Sequence, residues 1–499
     1  MNIGGLDVGT TGCKLSVYSD TGEFITSVYN EYDVTRVGGE HEIDASVIFD
    51  AVCKVIKECA EQCDIDAIGV TTFGETFVML DKDDKVLLPS MLYTDPRGKA
   101  ECDELCEALG EKKIISISGV KPHIMYSLPK IMWIRNNKPD VYDRISHILL
   151  MEDYIIYMLS GNSQIDYSLA ARTMAFDIRN KCWSKEILDA AGVDVSLLST
   201  PVPTGSLAGE IKNELAEKLG LKDGVKLING AHDQVASAVG SGVCENGQAV
   251  DGTGTVECIT PVFNKIPENE KLYEGGYAVV PYVFDNTYVC YAFSFTGGAV
   301  LKWYRDNFAK YETEYAKKNN RNVFSYLDSQ IGDEPTGILV MPHFAGAATP
   351  YMDNSSKAAI IGLTLEHTDK DMYKALMEGV TYEIMINLKQ LNSFGVNPNK
   401  LFATGGGATS RAWLQIKADI LGLPITALET KEVGACGTCM LAAVAMGVYD
   451  NLHEAGKAFT KCGETFVSNK DKHEKYQKIY EAYKNIYSMS KNIMEVINE

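Results

Sequence analysis

Short apolar runs separated by polar turns open the chain. Ile3 to Val8, Cys13 to Tyr18 and Phe24 to Tyr32 read as strands, parted by Gly9-Thr10-Thr11-Gly12 and by Asp20-Thr21-Gly22. The period then changes: between Ser46 and Gln62 the apolar positions Ile48, Val52, Ile56 and Cys59 share one helical face, and Ile65 to Thr71 returns to a strand-like run. The predicted order is β-β-β-α-β. A looser copy of it follows Gly247, with a second Gly-Thr turn inside Ala249 to Thr260, strands over Tyr277 to Tyr282 and Thr287 to Ser294, and a helix opened by Gly297-Gly298 and running through Trp303 and Tyr304. A closing helix is predicted over Lys472 to Val496, packing back on the first domain.

Length and duplication together predict two domains. At 499 residues the chain exceeds one ordinary core, and the least periodic join, Gly240 to Gly247, divides it into residues 1–246 and 247–499. Hydrophobic residues at 45% and charged residues at 23% are ordinary globular values. With 47 basic against 67 acidic side chains the net charge is −20, which disfavours a general nucleic-acid or anionic-membrane partner. The N-terminal residues have no basic region of the signal-peptide kind, and no apolar stretch is long enough to span a bilayer. The 13 cysteines are scattered through apolar runs, as expected of small buried side chains in a reducing compartment, so a cytoplasmic location is expected.

The two Gly-Thr turns are the first candidates for chemistry. Without a Cβ, Gly lets an anion approach backbone N–H groups, and one such turn in each half could hold a polyphosphate from opposite sides. Asp7, at the end of the first strand, is either a turn residue or a carboxylate placed to hold hydrated Mg²⁺. Lys14 is either a phosphate contact or a solvated strand lysine. Asp233 follows the apolar strand Val225 to Ile228 and precedes a short helix of small residues; it reads as an N-cap, as a general base, or as both, since a helix N-terminus favours the ionised carboxylate. Glu75 and Asp95 follow strand-like runs and could read substrate hydroxyls, although exposed acidic loop residues are ordinary in an acidic protein. Gly405-Gly406-Gly407 would let a flat ring lie against backbone, or is a plain strand-to-helix turn. Cys436 and Cys439 have CxxC spacing with no second pair, Cys102 and Cys106 line one helical face, and His41 to Asp44 is a weak metal pattern, so no zinc site is expected.

These segments, in this order, resemble the FGGY family of carbohydrate kinases over almost the whole chain. Met125 to Asn137 fits the family's first signature throughout, and Ala358 to Glu378 fits the second except at Leu376. Ile165 to Ile178, Met341 to Pro350 and Gly405 to Gly422 agree as well. The resemblance implies an α/β fold with two domains of the actin/hexokinase (ribonuclease H-like) type and a central cleft, binding ATP, Mg²⁺ and a small sugar or polyol, with a homodimer as one possible assembly. By that likeness Asp233 matches the catalytic base, with Gln234 beside it at the substrate, and Asp7 with Asp233 matches the metal site. Thr10, Thr11, Lys14, Gly252, Thr253, Gly254 and Thr255 match phosphate contacts, Gly298, Gly406, Gly407 and Arg411 match nucleotide contacts, and Glu75 and Asp95 fall in sugar-reading segments.

The pattern is closest to the family's xylulose kinases, notably at Lys14, so a ketopentose is the first expectation. It departs at Gly74-Glu75, where xylulose kinases carry Met-His and glycerol kinases Arg-Glu, and at Tyr93-Thr94-Asp95, where Trp-Asn-Asp or Trp-Gln-Asp is usual. A polyol such as glycerol or erythritol is the alternative acceptor. Two other classes compete: an actin-like or chaperone-like ATPase, whose turnover sugar would not stimulate, and a sugar-responsive regulator, for which no basic helix-turn-helix stretch is found.

Overall fold

The structure, a computed structural model, describes residues 1–267 and 271–498 and separates into two compact units. The first holds Met1–Cys244, Ala278–Val289 and Glu432–Thr460; the second holds Glu245–Tyr277, Cys290–Lys431 and Lys461–Glu499. The chain thus leaves the first unit between Cys244 and Glu245, two residues before the join read from sequence. Two later segments return to it.

In the first unit a six-stranded sheet runs Leu207–Glu210, Lys226–His232, Ala67–Thr72, Asn2–Val8, Gly12–Ser19, Phe24–Glu31. The three strands from Lys226–His232 to Asn2–Val8 are mutually parallel, and antiparallel strands close both ends. Central strands covered on both faces read as near-continuous apolar runs, whereas the edge strand Phe24–Glu31 alternates exposed and half-buried positions. The helix Ala45–Ala60 is capped by Asp44, whose carboxylate accepts from the Ser46 N–H, and it buries Ile48, Val52, Ile56 and Cys59 as the periodicity predicts.

The second unit repeats the scheme. Its sheet runs Cys462–Phe466, Ile425–Leu428, Lys400–Thr404, Gln248–Thr253, Glu257–Phe263, with Ala292–Ser294 paired to the last of these. Again three parallel strands lie between antiparallel neighbours. The strand expected over Thr287 to Ser294 is interrupted at Tyr291, and Gly298–Phe308 is the helix opened by the glycine pair.

The segment 432–460 joins the first unit because its helix, Val433–Ala445, has small residues where backbones meet. It packs against the helix Asp233–Gly240 and on the strands Asn2–Val8 and Ala67–Thr72. A Cβ on Gly5 would lie 2.2 Å from the Ala435 carbonyl oxygen, and one on Gly437 would lie 2.0 Å from that of Ala236. Cys436 and Cys439 are buried in this packing, their thiols donating to the carbonyls of Phe459 and Ile3.

The C-terminal expectation needs correction. Two helices, Lys470–Tyr483 and Ile486–Asn498, replace the single one, and they pack in the second unit. Tyr476 donates to Glu378 Oε1 at 2.9 Å and Tyr483 to Glu383 Oε1 at 2.7 Å, so the apolar face is sewn to the long helix Asp369–Ser393 by buried phenols. Among the described residues, no helix is long and apolar enough to cross a membrane.

Candidate active site

The first unit gathers carboxylates at the strand ends around the hairpin Gly9–Gly12. Gly9 N–H donates to the Gly12 carbonyl at 2.9 Å, leaving Thr10 half-buried and Thr11 exposed at the tip. Asp7 sits opposite Lys14 across the hairpin and beside Thr71 on the parallel side. Lys14 donates to Glu432 Oε1 at 2.9 Å. Burial, reinforced by the charges of Asp233 and Glu432 and only partly offset by Lys14, pushes the Asp7 carboxyl up to about 7.

Asp233 is the first helical residue of Asp233–Gly240, and His232 occupies the cap position, so the N-cap reading of Asp233 is not what the fold builds. Burial pushes its carboxyl up to about 6 against the opposing pull of the Gln234 N–H and the Arg172 charge. Desolvation therefore outweighs the helix terminus, yet at pH 7 the carboxylate still predominates by about ten to one. Its Oδ1 is buried without a hydrogen-bond partner, 3.3 Å from His232 Nε2. That imidazole is held neutral down to about 3, by burial first and by Arg172 second. Gln234 is half-buried as the second helical residue.

Glu75 is buried, with a left-handed φ of +64°, a backbone that non-glycine residues adopt rarely and often at sites of function. The turn is held by Ser127 Oγ, which donates to the Glu75 carbonyl at 2.7 Å. Arg172 Nε donates to Glu75 Oε1 at 2.6 Å, and the ring of Tyr126 lies 5.1 Å from the guanidinium. Asp95 is fully buried and heavily engaged. Its Oδ1 accepts from Arg97 N–H and Nε at 3.0 and 2.8 Å, its Oδ2 from His41 N–H and a terminal Arg97 nitrogen at 2.8 Å each. Burial alone would raise this carboxyl, but Arg97 and the backbone donors hold it below its usual value. A carboxylate offers about four acceptor positions, and four donors fill them.

In the second unit a cavity of about 940 Å³ opens beside the second turn, near the upper end of the usual range for small-molecule sites. Gly254, Thr255, Gly298, Gly406 and Gly407 line it together with the aromatic side chains of Trp303, Phe324, Tyr373 and Trp413. Gly254 N–H donates to the Val256 carbonyl at 2.9 Å, closing the turn. Gly252, Thr253 and Arg411 do not line the cavity. Thr253 belongs to the strand Gln248–Thr253 and turns its hydroxyl inward, where it accepts from Lys417 Nζ at 2.7 Å. Lys417 also meets Asp251 Oδ2 at 2.6 Å and Glu257 Oε1 at 2.8 Å, all three side chains being almost wholly buried. Arg411 is exposed and pairs with Glu464, its terminal nitrogen donating to Oε1 at 2.7 Å. Sequence reasoning missed Arg172, His232, Glu432 and Lys417. Arg172 had a signal, being the one basic residue in Ile165 to Ile178.

The donors suit Mg²⁺. The charge of Asp233 helps raise the Asp7 carboxyl, a shift that a nearby cation would relieve, and Asp233 Oδ1 lacks a hydrogen-bond partner. Among the described residues no cluster of three or more His, Cys, Asp or Glu could hold a metal ion.

The two α/β units are of the two-domain actin/hexokinase type, and the chain belongs to the FGGY family of carbohydrate kinases. The family's N-terminal domain model matches residues 2–240 and its C-terminal domain model residues 263–446. A xylulose kinase of Staphylococcus epidermidis is 28% identical over 487 residues, covering 95% of this chain and 94% of that protein. A gluconokinase of Bacillus subtilis is 27% identical over 456 residues, covering 90% and 88%. The crystal structure of ligand-bound xylulose kinase from Lactobacillus acidophilus superimposes with a TM-score of 0.88 at 25% identity, covering 98% of each chain.

Proposed function

We propose that this kinase transfers the γ-phosphoryl group of ATP to a terminal hydroxyl of a neutral sugar, with a ketopentose such as xylulose as the first candidate. The observation that carries the reading is Asp233, a carboxylate with one unpartnered buried oxygen, poised near pH 6 at a helix N-terminus. Asp233 takes the proton from the acceptor hydroxyl as that oxygen attacks phosphorus, and Gln234 and Glu75 orient the acceptor. Asp95 supports the acceptor segment by holding Arg97 and the His41 backbone. Residues 1–246 form the proposed acceptor-site domain and 247–499 the proposed nucleotide-site domain.

The cavity with its glycines and four aromatic side chains is the proposed nucleotide site: Gly254, Thr255 and Gly298 approach phosphate, and Gly406 and Gly407 approach ribose or base. Gly252 and Thr253 act from behind, by shaping the turn, and Thr10, Thr11 and Lys14 form the matching phosphate hairpin of the first unit. Arg411 reaches the nucleotide only by leaving Glu464. Asp7 and Asp233 would hold Mg²⁺, whose charge offsets that of the phosphates when it is bound. A cytoplasmic enzyme acting on small molecules, either alone or as a homodimer, fits this reading.

The relatives' names support the ketopentose and also raise a sugar acid; the departure at Gly74-Glu75 keeps a polyol such as glycerol or erythritol open, and an actin-like ATPase is the remaining alternative. A coupled assay of ADP release against ketopentoses, pentitols, erythritol, glycerol, hexuloses and gluconate separates them. Turnover should depend on acceptor and be highest with a ketopentose. Acceptor-independent hydrolysis would overturn the kinase assignment, and a preferred polyol or sugar acid would overturn the ketopentose.

A further inference from the structure

The pairing of Glu75 with Arg172 bears on which acceptors the site admits, given the acceptor site argued above. A buried guanidinium beside a substrate hydroxyl is ordinarily an anion trap, because its planar fork matches a carboxylate. Here both side chains are 6% exposed, and two nitrogens of Arg172 converge on Glu75 Oε1, with Nε at 2.6 Å. Tyr126 covers the guanidinium, its ring centre 5.1 Å from the central carbon. Lys130, which feels the charges of Asp95 and Glu75, donates to the Ile124 carbonyl. Asp233 adds a second carboxylate within reach of the Arg172 charge. The backbone at Glu75 is left-handed and its carbonyl is held by Ser127 Oγ, so the residue is fixed where its carboxylate meets Arg172.

We propose that Glu75, by occupying the guanidinium of Arg172, makes the acceptor site selective for neutral polyhydroxyl compounds and against sugar acids of the same length. A neutral hydroxyl donates to a carboxylate, whereas an incoming carboxylate meets Glu75 and Asp233 with the charge of Arg172 already matched. Glu75 is then a specificity-determining residue and Arg172 the group it neutralises.

Xylitol and D-xylonate are suitable probes, since they differ in having a hydroxymethyl or a carboxylate at one carbon. Calorimetric titration of the full-length protein should give xylitol a Kd at least tenfold below that of D-xylonate. In Glu75→Gln, which frees the guanidinium's charge, that ratio should narrow by at least tenfold or reverse, with the ATP affinity within twofold of wild type. The double variant Glu75→Gln/Arg172→Met should lose the gain in D-xylonate affinity. Equal or tighter binding of D-xylonate by the wild type, no binding of either probe, or an unchanged ratio in a folded Glu75→Gln protein would overturn the proposal. If Glu75→Gln does not fold, the wild-type ratio decides. The titration needs no turnover, so failure of the kinase reading would show in the ADP assay and not here.

Discussion

Gly437→Ala tests the helix contact that places Asp233. A Cβ on Gly437 would lie 2.0 Å from the Ala236 carbonyl oxygen and 2.6 Å from the Gly240 nitrogen, and a Cβ on Gly240 would lie 1.9 Å from the Val433 oxygen. Ordinary contact needs about 3.4 Å, and both obstacles are backbone, so no rotamer change relieves the overlap. The helices must part. Overpacking of this kind costs up to about 3 kcal/mol, offset by about 1 kcal/mol from the better helix propensity of alanine. A net loss of about 2 kcal/mol lowers Tm by about 4 to 8 °C for a unit of this size. Because Asp233 begins one of the two helices, kcat should fall further than the ATP affinity. Gly456→Ala is the matched control: it lies mid-helix in Leu452–Phe459, and its Cβ would meet only the Met440 methyl at 3.5 Å. That substitution should raise stability by up to about 1 kcal/mol. Thermal melts of the two variants decide the matter, and a Gly437→Ala protein as stable as wild type would refute the contact.

The remaining predictions concern the nucleotide site and pH. Gly254→Val, at a cavity-lining position where a Cβ would meet only the Val256 carbonyl oxygen, at 3.9 Å, should raise the KM for ATP at least tenfold, while Arg411→Ala should change it less than twofold because Arg411 pairs outside the cavity; steady-state kinetics with varied ATP checks both. Thr253→Val, which keeps the shape but leaves Lys417 and Asp251 short of a hydroxyl, should lower stability by about 1 to 3 kcal/mol, read by urea denaturation; an unchanged midpoint would remove the buried cluster from the account. Stability should fall as pH rises from about 6.5 to 8.5, because Asp7, at about 7, and Asp153, at about 8, retain protons in the fold that an unfolded carboxyl has released, and burial shifts Glu257 in the same direction. His232, neutral to about 3 in the fold, gives the opposite slope only below about 6.5, so a Tm that increases between pH 6.5 and 8.5 would contradict the burial argument.

The hairpins were legible in the sequence because a Gly-Thr turn between alternating runs has few other readings, and the Ala45–Ala60 helix because its apolar stripe has a single phase. Gly254, Gly406 and Gly407 line the cavity, although for the glycine triplet the sequence left a plain strand-to-helix turn open beside close backbone approach. Contacts between distant residues were not legible. Arg172 is 97 residues from Glu75 and Lys417 is 166 from Asp251; Arg172 stands out as the one basic residue of its segment, but nothing local says which residue either one pairs with. Thr253 and Thr255 look alike in sequence, yet the first ends a strand facing the interior while the second faces the cavity. Asp233 was visible at a strand end, but its upward shift depends on burial that only the fold supplies. The C-terminal helices show the same limit, since an apolar face does not say which surface it will cover.

Asp233→Asn puts the central claim to the most direct test. The substitution keeps the shape of the side chain and removes its capacity to accept a proton. Single-turnover phosphorylation of the best acceptor, measured beside an equilibrium titration with ATP, should show a rate lowered by about 10² to 10⁴ with ATP affinity within twofold of wild type. A folded variant that phosphorylates its acceptor at close to the wild-type rate would contradict the assignment of Asp233 as the base.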